Sequence, residues 1–91
     1  MDYLFESPGD IALNIAANFR RLRKRRKFTL EELSRRSGVS YSSIKRFEHT
    51  GEVSFVSLIK MAFVLRAEDE IRTLFSEVPP ETIEEVIYGK Y

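Results

Sequence analysis

Phe28 to Gly51 reads FTLEELSRRSGVSYSSIKRFEHTG, and this stretch decides the fold. It spells two short helices joined by a tight turn. Thr29 caps the first helix, and Glu32 three residues later closes a capping box. Leu30 and Leu33 are three apart and share one helix face, while the small Ser34 beside them leaves room for a close crossing. Gly38 stands where the chain needs a left-handed residue. Val39 plugs the turn, and Ser40 caps the second helix. On that helix Ile44 and Phe47 point inward, which leaves Tyr41, Ser42, Lys45 and Arg46 outside. Small polar, aromatic and basic side chains gathered in one patch of a helix suit the major groove of DNA.

The charge divides along the chain in a way its total conceals. The net charge over 91 residues is +1. Residues 20–49 alone hold eleven Lys or Arg against three Glu, a balance of +8, whereas residues 1–19 carry −3 and residues 50–91 carry −4. One basic face for a polyanion and a separate acidic half follow from this asymmetry; read by itself, a basic run is equally a solvated helix flank. With no cysteine there is neither a disulfide framework nor a thiolate metal site. No apolar run approaches the roughly 20 residues that span a bilayer. The opening MDYLFES lacks the basic start and apolar core of a signal peptide. The expectation is a soluble, cytoplasmic protein.

Working outward, Ser7-Pro8-Gly9-Asp10 is a helix start, with Ser7 at the cap, Pro8 in the first turn and Asp10 near the positive end of the dipole. The helix is expected to reach about Lys27, burying Ile11, Ile15, Phe19 and Leu22 with Ala12 and Ala16 alongside. Arg23 falls close to that stripe and needs a partner there. A fourth helix, capped by Ser54, runs to about Leu65 with Phe55, Leu58, Ile59, Ala62 and Leu65 inward and Val56, Phe63 and Val64 off the stripe. A fifth spans Ala67 to Ser76 with Ile71, Leu74 and Phe75 inward, and Pro79-Pro80 stop it. The tail ETIEEVIYGKY reads equally as a short helix or as an extended arm.

The ordered set R-x-R-K, T-L-E-E-L-S, G-V-S, S-x-x-S-I-x-x-F-E and S-F-V-S-L-I-K-M-A-x-x-L, from about Ile15 to Leu65, resembles the lambda-repressor-like (Cro/cI, XRE-type) helix-turn-helix family. More softly, F-E-H-T-G-E-V-S-F-V-S-L-I-K is similar to small HipB-like regulators, DNA-binding partners of HipA-type kinase toxins. The first resemblance implies an all-α, five-helix lambda-repressor-like DNA-binding domain with a short C-terminal helix or arm. The chain then divides into an N-terminal arm (1–7), the DNA-binding domain (8–76, helix-turn-helix 29–48) and a C-terminal extension (77–91) available for dimerisation.

The same resemblance implies the roles of particular residues. Tyr41, Ser42 and Arg46 occupy the positions that read base edges, with Arg46 able to grip a guanine through two hydrogen bonds. Lys45, Ser43, Thr29, Lys27 and Lys24 are expected on phosphates, which set register and affinity and carry no sequence information. Leu30 stands where many relatives carry a polar residue, and it is expected to turn toward the core or toward the sugar edge of DNA. Arg23 is expected to pair with Glu48 in a partly buried, structural ion pair. The implied partners are double-stranded DNA and a second copy of the chain; in the HipB-like reading a HipA-like kinase joins them. Read from the sequence itself, Tyr3, Leu4, Phe5, Val56, Phe63, Ile83, Val86, Ile87 and Tyr88 are apolar side chains that suit a dimer contact and equally suit capping a small core. His49, the only histidine, has no second ligand or base in view, and no phosphate loop, metal-spaced set or catalytic triad can be assembled. Neither an enzyme nor a cofactor is expected.

Overall fold

The four longer helices of this chain begin where a hydroxyl can take up a free amide. A computed structural model of the protein describes residues 6–79, and within them five helices follow in order: α1 (Pro8–Arg25), α2 (Leu30–Ser37), α3 (Tyr41–Thr50), α4 (Phe55–Val64) and α5 (Glu68–Arg72). Ser7, Thr29, Ser40 and Ser54 cap the first four, each accepting the backbone N–H three residues on at 3.1–3.2 Å. At Ser7 the box is complete, because the Asp10 carboxylate accepts the Ser7 N–H at 3.0 Å. At Thr29 it stays half made: the Glu32 carboxylate turns instead to Arg36, four residues on, at 3.1 Å. An opposite charge at that spacing on the exposed helix face competes with the backbone amide for the same oxygen.

The ends are equally local. Gly38 (φ 77°) and Gly51 (φ 81°) close α2 and α3 in the left-handed region. Lys27 adopts φ 63°, so α1 stops at Arg25, two residues earlier than its sequence pattern suggests. The Phe28 N–H then folds back onto the Arg23 carbonyl at 3.1 Å.

The all-α, five-helix architecture is the one the sequence implies, and no strand occurs among the described residues. α1 packs on α3, α2 on both α3 and α4, and α5 on α4. Ala16, Leu33, Val39, Ile44, Phe47, Met61 and Leu65 form the core, with Phe19, Leu22, Phe28, Leu30 and Leu58 among the partly buried side chains around it. Phe19 meets Phe47 edge to face, ring centroids 5.1 Å apart.

Three expectations about burial are corrected. On α1 the face toward α3 is Ala12, Ala16, Phe19 and Arg23, while Ile11 and Ile15 are 47% and 50% exposed. The helix is turned by about one residue, or 100°, because the alanines let it approach α3 closely. On α4 the buried residues are Met61 and Ala62, followed by Leu65; Met61 is not among the inward residues that the sequence pattern predicts. Phe55 is exposed, since the side chain of a first helical residue tilts back past the helix end. α5 covers only Glu68–Arg72, not Ala67–Ser76. Its cap residue Ala67 offers no side-chain acceptor, and Phe75 takes φ 59° and is 86% exposed. Leu74 is exposed too, leaving Ile71 as the half-buried contact of this helix.

No helix among the described residues is long and apolar enough to cross a membrane. Tyr3, Leu4, Phe5, Ile83, Val86, Ile87 and Tyr88, and the choice between helix and arm for the tail, lie outside the described residues.

Candidate nucleic acid interface

α3 is fixed from beneath and bare on top. Ile44 and Phe47 are buried. The turn that leads into the helix is tied by two bonds: the Ser34 hydroxyl donates to the Val39 carbonyl at 2.6 Å, and the Val39 N–H donates to Ser37 Oγ at 3.1 Å. Val39 itself is buried among the core side chains. Removing the cap at this turn has a measurable cost. Ser40→Ala is expected to lower stability by about 1 kcal/mol, read as a shift of the urea midpoint at unchanged slope.

The outer face of α3 carries Tyr41, Ser42, Ser43, Lys45, Arg46 and His49, all exposed. Tyr41, Ser42, Lys45, Arg46 and His49 line one shallow surface concavity, so the three residues expected to read bases lie together. The Ser43 hydroxyl oxygen accepts from Ser40 Oγ at 2.7 Å, which leaves its own proton free to donate. His49 Nδ1 lies 2.9 Å from the Lys45 carbonyl. A carbonyl only accepts, so Nδ1 carries the proton and Nε2 faces away from the helix backbone.

The residues expected on phosphates are spread over three elements. Thr29 sits at the cap of α2, and its Oγ1 accepts the Glu32 N–H while retaining a proton to donate. Lys24 lies in the last turn of α1, and Lys27 at the left-handed corner after it; both are exposed. Among the described residues neither lysine, nor Lys45, is in an ion pair. Leu30 is partly buried against the core. Arg36 is committed elsewhere, stacked 5.3 Å from the Phe28 ring centroid and paired to Glu32.

Arg23 and Glu48 form a forked ion pair, Nε–Oε2 at 2.7 Å and Nη2–Oε1 at 3.0 Å, and Arg23 Nη1 donates to the Phe28 carbonyl at 2.7 Å. The two side chains are 8% and 4% exposed. The pair joins α1, the α1–α2 turn and α3, and so sets the angle at which α3 is presented. Arg20 Nε stands 3.9 Å from Glu48 Oε1 at the rim.

One neighbour of the concavity is missing from the sequence reading. Arg46 is bound by Glu52, through Nε to Oε2 at 3.2 Å and through a second bond from Nη2 to the same oxygen. The signal lay in the spacing: a left-handed glycine between two opposite charges folds the second back toward the first.

Among the described residues no three His, Cys, Asp or Glu side chains gather as metal ligands would. A family model described as helix-turn-helix matches residues 19–66, from the second half of α1 to the residue after the cap of α4. No curated protein and no solved structure matches the chain.

Proposed function

We propose that this chain, which belongs to the XRE-type, lambda-repressor-like helix-turn-helix family of DNA-binding domains, is a sequence-specific transcriptional repressor that binds a pseudo-palindromic operator as a homodimer. The observation that carries the reading is the two-sidedness of α3. Its inner face is locked by Ile44, Phe47 and Glu48, and its outer face presents Tyr41, Ser42, Lys45 and Arg46 to whatever lies above. A helix so fixed places its side chains on base edges with little ordering cost. Tyr41, Ser42 and Arg46 then read bases, while Lys45, Ser43, Thr29, Lys27 and Lys24 hold phosphates. The protein acts in the cytoplasm, on the nucleoid, and performs no catalysis.

A dimer is supported by the economics of size. One small module buries little surface on DNA, and two recognition helices a helical turn apart double it. An apolar groove lined by Ile15, Phe19, Leu22, Leu58 and Leu74 runs between α1, α4 and α5 on this protomer and is available to a second copy.

Selection from random duplex pools, with α3 variants, tests the reading. Arg46→Ala is expected to relax preference at one base pair, at a cost of about 1–3 kcal/mol on the selected site. Lys45→Ala is expected to weaken all sequences alike and to reduce the salt slope by about 0.9. Equal loss on every sequence for Arg46→Ala would remove it from the base readers.

The acidic half favours a second reading, a HipB-like antitoxin that masks a HipA-like kinase. Glu68, Asp69, Glu70 and Glu77, with exposed Leu74, Phe75 and Val78 among them, would be the partner surface. Selection that enriches no symmetric site, together with a neighbouring gene for such a kinase, would put this reading first.

A further inference from the structure

We propose that Glu52 is a positioning residue for base reading: it holds one edge of the Arg46 guanidinium and leaves the other edge, the one that fits two acceptors on a guanine, turned toward DNA. The inference rests on Arg46 being a base reader, as proposed above, and adds how that side chain is aimed.

Glu52 is fixed close to Arg46 by the backbone before its carboxylate does anything. Thr50 Oγ1 donates to the Arg46 carbonyl at 2.7 Å and accepts the Glu52 N–H at 3.1 Å. Gly51, at φ 81°, makes the reversal that allows this. The carboxylate then takes the Arg46 side chain by Nε and Nη2, both on Oε2. These two nitrogens share one side of the planar guanidinium. The end formed by Nη1 and the remaining N–H of Nη2 has no partner among the described residues. Guanine offers O6 and N7 as paired acceptors in the major groove, and a two-pronged donor edge is what matches them.

The carboxylate has a second consequence. An unrestrained arginine at the rim of a groove is drawn to phosphates, which gives affinity without selectivity. With its Nε edge occupied, Arg46 has less to offer a phosphate, and the negative charge of Glu52 repels the backbone as well. Glu52 therefore lowers affinity for DNA in general and raises discrimination at one base pair. Both side chains are about two-thirds exposed, 68% and 65%, so the pair adds little to stability. A purely structural role would leave selectivity untouched.

The test compares wild type, Arg46→Ala, Glu52→Ala, Glu52→Gln and the Arg46→Ala/Glu52→Ala double variant. Binding is measured on the selected duplex, on the duplex changed at the base pair where Arg46→Ala loses preference, and on random duplex, all at one salt concentration. Glu52→Ala and Glu52→Gln are expected to tighten binding to random duplex and to cut discrimination at that base pair by up to about fivefold, the most an exposed ion pair supplies. In the Arg46→Ala background the Glu52 change is expected to leave discrimination unaltered. If Arg46→Ala relaxes the preference but both Glu52 variants keep it at the wild-type level, the positioning role is overturned and base reading by Arg46 stands. If Arg46→Ala changes no preference, the base-reading assignment fails and this inference falls with it.

Discussion

Glu48→Ala is expected to lower the unfolding free energy by about 3–5 kcal/mol, the cost of leaving one member of a buried ion pair alone. Arg23 is almost sealed from water and uses three of its N–H groups, two on Glu48 and one on the Phe28 carbonyl. Without Glu48 the guanidinium keeps only the carbonyl. It also faces Arg20, which the lost carboxylate had been drawing in from the rim. Arg23→Ala is expected to cost less, because the two partners differ in their surroundings. Arg20 is half exposed, and its Nε already stands 3.9 Å from Glu48 Oε1, so it can turn in and satisfy the orphaned carboxylate. Replacing both residues by methionine is expected to recover most of the loss, since well-packed apolar side chains often match a buried pair in stability. Urea unfolding of the three variants, read as midpoint shifts at constant slope, decides the matter. A loss under about 1 kcal/mol for Glu48→Ala would place the pair with exposed ones. Against a total of about 5–15 kcal/mol for a domain, the expected loss is large enough to leave part of the protein unfolded on warming.

What could be read in the sequence was what short-range chemistry decides. Ser7, Thr29, Ser40 and Ser54 cap their helices, and Gly38 and Gly51 end two of them, because each device involves residues within one turn of one another. The inner face of α3 was legible for a related reason: Ile44 and Phe47, three apart, leave one outer face whatever else packs nearby. Burial elsewhere depends on where a neighbour crosses, and there periodicity misleads. Ile11, Leu13 and Ile15 are the large apolar residues in the first half of α1, yet the contact with α3 is made by the smaller Ala12 and Ala16. Phe55 fits the stripe of α4 by spacing and misses the core by its position at the helix end. The α5 pattern ran to Ser76, but a five-residue helix without a side-chain cap has little to sustain it. The role of Glu52 is not legible in a helical pattern because its partner is reached through a reversal of the chain and not along a helix face.

Gly51→Ala is expected to cost about 2–5 kcal/mol, the sum of a left-handed backbone and an overpacked contact, whereas Gly38→Ala is expected to cost only the first part, about 1–2 kcal/mol. The two glycines share a conformation, at φ 81° and 77°, and differ in what surrounds them. A Cβ on Gly38 meets nothing within 4 Å. A Cβ on Gly51 would stand 2.8 Å from both the carbonyl carbon and the Cβ of Ala12, and 2.9 Å from its carbonyl oxygen. These are atoms of the α1 backbone and its first side-chain carbon, so no rotamer relieves them and the helix itself must move. α1 and α3 would be prised apart at the end opposite the turn into α3, loosening the Phe19–Phe47 contact that follows along the same seam. The same urea series measures both substitutions, and equal losses would mean that α1 yields without cost. A second-site change sharpens the argument. Ala12→Gly in the Gly51→Ala background removes only one of the three close atoms and adds the helix penalty of glycine, about 0.5–1 kcal/mol. It is therefore expected not to restore stability, as it would if the crowding lay between two methyl groups alone.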